Sequence, residues 1–280
     1  MSLGVLNNIS AIYAQNNLNQ TQASLQNTLT QLSSGSRINS GADDAAGLAL
    51  ADGLHANVAA LTQSAQNASA GVGMLQTADG ALAQVTNLLT RAITLATEAA
   101  NGTLNTSQVG SADQEYQNIL TEIDNIGKTT NYNGNKVFSA TAVNVFVSDG
   151  TATGASTFAE TVGALAVATV GTGSAGTGQS LTGTALTATP GTVLQTLTAA
   201  VQDVAYQRGT LGANVNQLNA AANVANTQSV NLSSAENNIR ATNYGQATSD
   251  MAKYKVLSET GIAALSQANA VQQDVLKLLQ

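Results

Sequence analysis

The chain has 280 residues, 43% hydrophobic but only 3% aromatic, with no tryptophan, no cysteine and a formal net charge of −7. The absence of cysteine excludes disulfide staples, thiolate metal sites and cysteine nucleophiles, and an acidic balance with no basic cluster disfavours a nucleic-acid partner. The length permits one or two domains with a real core, and apolar content in which alanine is the commonest residue suits helices packed at close range.

No run of about 18 apolar residues is present, so nothing is expected to span a bilayer. The N-terminus lacks the basic start, apolar middle and small-residue cleavage site of a secretory signal, so any export is expected to keep it intact.

Residues 1–36 carry no charged side chain, yet Ile12, Leu18, Leu25, Leu29 and Leu32 recur at helical spacing among Gln and Asn residues. Helices exposed on a soluble monomer normally carry Lys and Glu on the wet face. Amides instead of charges suit a crowded protein interior, where an unpaired charge costs several kcal/mol. A break follows at Ser33, Ser34, Gly35, Ser40 and Gly41, and Asp43 with Asp44 places negative charge where the next helix begins.

The second helix has its seam at Leu54, Val58, Leu61, Ala65, Ala68, Val72, Leu75, Asp79, Leu82, Thr86, Leu89, Ile93 and Ala96, interrupted only by Asp79 and Thr86. Its expected stop is a left-handed turn at Asn101-Gly102. About 55 residues at 1.5 Å each make a rod of roughly 80 Å, which suits an elongated bundle. Ser111 with Gln114 reads as a capping box for a shorter helix through Tyr116, Ile119, Leu120, Ile123 and Ile126, closed by Gly127.

Asn133-Gly134 between β-tolerant residues, and the alternation of Val143, Val145 and Val147, mark the start of a small β region. Residues 161–202 lose charge again and are rich in Thr, Gly, Ala and Ser; such a stretch is expected to bury little and to face outward as loop with short strands. Pro190-Gly191 ends it. A third long helix follows with Leu194, Leu197, Val201, Val204, Arg208, Leu211, Val215, Leu218, Ala222 and Ala225 on one seam, Arg208 being its only polar member.

Residues 231–244 read as a second break, and a terminal helix closes the chain with a small-or-apolar seam at Leu257, Gly261, Ala264, Ala268, Val271, Val275 and Leu278, flanked by Ile262 and Leu265. So wide an apolar stripe needs a partner, and the uncharged N-terminal helix is the candidate. The expected fold is mainly α: an elongated antiparallel helical bundle or coiled coil built from both chain ends, with a small β-rich insertion. One copy is not expected to shelter both of its terminal helices fully.

The motif LSSGSRINSGADDAAGLAL at residues 32–50 resembles the LSSGxRINSAxDDAAGLAI stretch of bacterial flagellins, the filament subunits of the flagellum. QTADGAL, EAANGT and TTNYNGNKVF resemble further N-terminal signatures of that family, and ENNIRATNYGQATSDMAKYKVL and SQANAVQQDVLKLLQ resemble its C-terminal block. The resemblance implies a structural subunit that polymerises into an extracellular motility filament. The terminal helices (residues 1–43 and 236–280) would form the inner core, and the flanking helices (44–140 and 191–235) a rod-like domain. Residues 141–190 would be a variable outer insertion.

On that reading Ile12, Leu18, Leu25, Leu29, Leu32, Leu257, Ile262, Leu265, Val271, Val275 and Leu278 serve inner-core self-assembly. Leu54, Leu61, Leu75, Leu82, Leu89, Leu197, Val201, Leu211 and Leu218 pack the rod. The implied partners are further copies, an export chaperone over the C-terminal helix, and cap and hook-junction proteins, after export through the flagellar type III apparatus. Arg91, Leu95 and Glu115 occupy positions similar to the surface that the vertebrate Toll-like flagellin receptor recognises, whereas Thr90, Ile93 and Thr94 depart from it. The alternative role for the trio is an interhelical or intersubunit contact.

No enzyme chemistry, cofactor or metal site is expected. His55 is the only histidine, Asp43 and Asp44 are explained by the helix start, and Gly171, Gly173, Gly176 and Gly178 lack the context of a phosphate loop. Two rival readings are a hook-filament junction protein and an amphipathic lipid-surface helix. The latter would carry basic residues beside the stripe and an aromatic anchor, whereas residues 1–36 offer Tyr13 and no base.

Overall fold

The computed structural model describes residues 8–150, 157–171 and 178–278. Five helices dominate: α1 (Ile9–Ser34), α2 (Ala45–Ala99), α3 (Thr106–Thr129), α4 (Pro190–Arg240) and α5 (Tyr244–Leu278). Strands β1 (Asn131–Tyr132) and β2 (Asn135–Lys136) form one antiparallel pair, and β3 (Val143–Phe146) and β4 (Thr157–Glu160) another. The chain divides into two compact units, Met1–Ala56 with Leu232–Gln280, and Asn57–Asn231.

In the first unit α1 and α5 pack against each other. The α1 N-cap Asn8 accepts from the Ala11 N–H at 3.0 Å and donates its amide to the Ala268 carbonyl at 2.9 Å. At the other end Thr242 donates to the Gly35 carbonyl, so the helices run antiparallel. Gly35 ends α1 at φ +71°, a left-handed position that L side chains rarely adopt.

The two breaks of the sequence meet as one short zipper. Ser36 bridges Ala241, and the Arg37 N–H donates to the Arg240 carbonyl at 2.7 Å. The Ser36 hydroxyl donates to the same carbonyl, and the Arg37 guanidinium to that of Ile239. The second break is narrower than the sequence suggested: α4 runs unbroken to Arg240, and only residues 241–243 interrupt it. Ser and Asn weaken a helix interior only slightly, and Glu236 with Arg240 forms an i,i+4 pair at 3.7 Å. Arg240 also reaches Asp52 at 3.3 Å, and Glu236 accepts from or pairs with His55 Nδ1 at 3.3 Å.

Asp44 precedes α2 and accepts from the Gly47 N–H at 2.9 Å, a helix-start role. Asp43 accepts from the N–H groups of Asn39 and Ser40, which hold its carboxyl below the usual carboxylate range. Asp44 follows the expectation drawn from the sequence, whereas the Asp43 carboxylate caps the turn upstream of α2 instead of the helix itself.

The core of the second unit is a single cluster of side chains from α2, α3, α4, the β segments and residues 162–186. The α2 seam is buried through Leu61, Ala65, Ala68, Leu75, Leu82, Leu89 and Ala96, and α4 through Leu197, Val204, Leu211, Leu218 and Ala225; Leu54 and Val201 are half-buried. A second line on α2, with Met74, Ala78, Val85, Ala92 and Leu95, is buried as well. The expected hairpin is present, with Asn133 at φ +50° and Gly134 at φ +80°, the backbone of a type I′ turn.

Four expectations in this unit are corrected. The stop after α2 uses no left-handed residue: Asn101 donates its N–H to the Glu98 carbonyl, and its side-chain oxygen accepts from Thr103. The capping box of α3 is Asn105 with Gln108, whose side chains accept from each other's N–H groups at 2.9 and 3.0 Å; Ser111 lies inside the helix. Gly127 does not close α3, which continues to Thr129. A β-carbon there would stand 2.8 Å from the Leu165 carbonyl carbon and closer still to its oxygen, so the glycine admits a crossing backbone. Finally, residues 161–189 do bury side chains: Val162, Leu165, Val170, Leu181 and Leu186 belong to the core. The Asp113 carboxylate, the Tyr116 hydroxyl and the Gln117 amide of α3 bind this segment at Leu186 and Thr184. Of the loop Gly171 to Gln179, residues 172–177 lie outside the described residues.

Candidate assembly surface

The α1/α5 pair is narrow. On α1 the half-buried residues include Ala11, Ala14, Leu18, Leu25 and Leu32, with Thr28 buried; on α5 they include Met251, Tyr254, Ser258, Gly261, Leu265 and Ala268, with Ala247 buried. Gly261 sets the spacing, since a β-carbon there would stand 3.2 Å from Leu18 Cδ1. Leu18, Leu25, Leu32 and Leu265 thus face the intramolecular seam.

The other expected assembly residues do not. Ile12 is 53% exposed, Leu29 47%, Leu257 45%, Ile262 55% and Val271 46%, so about half of each side chain still meets water. Helical geometry separates them from the seam. At 100° per residue, Ile9 and Ile12 lie on the far side of α1 from Leu25, with Leu29 on its flank. Leu257, Ala264 and Val271, seven apart, drift along one flank of α5, and Ile262 lies on the other. The seam expected through Leu257, Gly261, Ala264, Ala268 and Val271 is therefore split: Gly261 and Ala268 meet α1, while Leu257, Ala264 and Val271 stay exposed. The side chains of Val275 and Leu278 lie outside the described residues.

The exposed faces are uncharged along α1 and carry Lys253, Lys255 and Glu259 on α5. Burying the remaining half of one Ile or Leu is worth on the order of 1 kcal/mol. Covering the row is thus favourable, and on the α1 side no charge opposes it.

The second unit contains the other candidate surface. Arg91 Nε and an Arg91 terminal nitrogen donate to the two carboxylate oxygens of Glu115 at 2.7 and 3.0 Å, bracing α2 to α3. Each side chain is about half exposed. The pair holds the Glu115 carboxyl low and raises Arg91. Leu95 is 3% exposed and belongs to the core, so it presents no surface to a partner. Among the described residues no group of His, Asp or Glu is placed to hold a metal ion, and no helix is long and apolar enough to cross a membrane. His55 is a surface residue paired with Glu236.

Of the residues that tie the two chain ends together, Gly35 was read from the sequence as part of a break, whereas Asn8, Ser36, Arg240 and Thr242 were not singled out. The signals were present, as a left-handed glycine at one break and a Glu-Arg pair before the other.

Two sequence-family models match. The one described as the bacterial flagellin N-terminal helical region matches residues 5–143, and the one described as the bacterial flagellin C-terminal helical region matches residues 194–279. Flagellin 1 of Proteus mirabilis is 42% identical over 144 residues, covering 51% of this chain and 40% of that protein. The phase 1 flagellin of Salmonella naestved is 44% identical over 132 residues, covering 47% of this chain and 26% of its own length. The matched stretch thus spans less than half of each relative. The crystal structure of Bacillus cereus flagellin aligns with a TM-score of 0.46 at 31% identity, covering 58% of this chain and 88% of that one. With both terminal regions matched in order and most of its length accounted for, the chain belongs to the bacterial flagellin family.

Proposed function

We propose that this chain is a structural subunit that polymerises into a flagellar filament outside the cell, with the α1/α5 pair forming the inner core of that filament. The single observation that carries the reading is the half-covered state of α1 and α5. Each shields the other along one line, and Ile12, Leu29, Leu257, Ile262 and Val271 remain in water on faces where α1 offers no charge. Further copies of the same pair would bring the same apolar rows as cover, uncharged on the α1 side. A chaperone over α5 would serve the same end before assembly, and cap and hook-junction proteins at the two ends of the polymer. Family membership supports all three. In this reading Arg91 and Glu115 act first as a brace between α2 and α3, and their exposed halves are the part open to a neighbouring subunit or a receptor.

The test is electron microscopy of purified protein put through a cycle of depolymerisation and reseeding. Long filaments are the expected product. Monomers that persist beside seeds, or that bind anionic vesicles without forming fibres, would refute the proposal and favour the lipid-surface reading.

A further inference from the structure

We propose that Glu160 is a protonation-controlled latch: as a neutral acid it keeps β4 docked on α4, and its ionisation as the pH rises loosens the β3–β4 hairpin.

Glu160 is the last residue of β4, pairs in register with Val143, and is fully buried. One carboxyl oxygen, Oε2, accepts from Asn214 Nδ2 of α4 at 2.8 Å; the other, Oε1, has no partner. Seven residues earlier on α4, and so on the same face, Gln207 is 2% exposed and donates its Nε2 to the Val162 carbonyl, while its own Oε1 has no partner. Two amides at two-turn spacing therefore grip positions 160 and 162, and two buried acceptors are left without donors. A carboxylate would add an uncompensated charge to that deficit. A carboxylic acid instead carries one O–H, so the unpartnered oxygen becomes a donor.

Among the described residues no cation pairs with Glu160. β3 carries no ionisable side chain, β4 none besides Glu160, and residues 161–189 none. On α4, Asp203 accepts from Gln179, and Arg208 is engaged by Asp79 of α2. Burial accordingly pushes the Glu160 carboxyl up, against a smaller opposing effect of the Asn214 bond. In the unfolded chain the same group ionises in the ordinary carboxylate range. Docking is thus at full strength below that range and weakens as the pH climbs through the higher folded-state value.

The experiment follows the Glu160 carboxyl carbon by NMR in the full chain, together with hydrogen-exchange protection of Val145 and Phe158 corrected for base catalysis. Wild type and Glu160→Gln are compared; the amide keeps the shape of the neutral acid and cannot ionise. In wild type, Glu160 titrates at higher pH than an unstructured glutamate. Protection of the hairpin falls about tenfold or more across that titration, and that of Leu82 in α2 does not. In Glu160→Gln the hairpin stays protected throughout. Titration of Glu160 in the ordinary range overturns the proposal, as does the same pH-dependent loosening in the variant. If the variant does not fold, the wild-type carboxyl titration decides alone.

Discussion

Arg208 of α4 grips Asp79 of α2 through two hydrogen bonds, of 2.7 and 3.2 Å. They are the charged interruptions of two otherwise apolar seams, 129 residues apart in sequence. The hydrogen bonds to Asp79 raise Arg208 further above its usual value, and the pairing fixes the register of the two helices: a slip of one turn would leave both charges against apolar neighbours.

Because both side chains are more than a third exposed, the coupling is modest. A double-mutant cycle with Asp79→Leu and Arg208→Met, read by urea unfolding, is expected to give about 0.5–1 kcal/mol of interaction. Each single variant should be less stable than the double. Additive effects would show that the pair does not set the register.

Gly127 and Gly80 make opposite predictions from the same substitution. A β-carbon at 127 meets the Leu165 backbone, whereas at 80, also within a helix, nothing lies within 4 Å. Gly127→Ala should destabilise by about 1–3 kcal/mol through overpacking. Gly80→Ala should stabilise by about 0.5–1 kcal/mol, since alanine loses less backbone freedom in a helix. Thermal unfolding of both variants checks the sign.

Asp43 predicts an acid-side dependence. Its carboxyl is lowered by the N–H groups of Asn39 and Ser40, so the stabilisation it gives the turn before α2 is fully present above the unfolded-state value. It is lost as the pH falls through the lower folded-state value. NMR titration should place Asp43 below the ordinary aspartate range, and Asp43→Asn should remove that part of the pH dependence of the Asn39 and Ser40 amide shifts. An Asp43 titrating normally would contradict the bonding described.

Much of this fold was legible wherever a period ran long. The seams of α2 and α4 could be read residue by residue, and their charged interruptions, Asp79 and Arg208, could have been paired in advance, since each had no other reason to sit on an apolar line. The hairpin at Asn133-Gly134 was legible because its backbone demands left-handed residues. Residues 162–186 were not: Val162, Leu165, Val170, Leu181 and Leu186 follow no period, and their burial depends on a backbone crossing that only Gly127 permits. The helix start at Asn105 was missed because Ser111 with Gln114 offers the same spacing one and a half turns later, and local capping chemistry cannot rank the two. On α5 the apolar stripe was wide enough to hide two surfaces. Which line meets α1 is decided by the small Gly261 opposite Leu18, a contact between distant parts of the chain.

The exposed rows of α1 and α5 lead to the most direct test. Ile12 and Leu257 lie outside the intramolecular seam, whereas Leu25 is half-buried within it. Seeded growth of Ile12→Asp and Leu257→Asp should be measured by electron microscopy on monomers whose helix content has been matched to wild type by circular dichroism. Both variants are expected to keep the folded monomer and fail to extend seeds, because assembly would bury an unpaired charge at a cost of several kcal/mol. Leu25→Asp should instead loosen the monomer's own helix pair. Filaments of normal length from both outer-face variants would contradict the account, showing that assembly does not cover these faces.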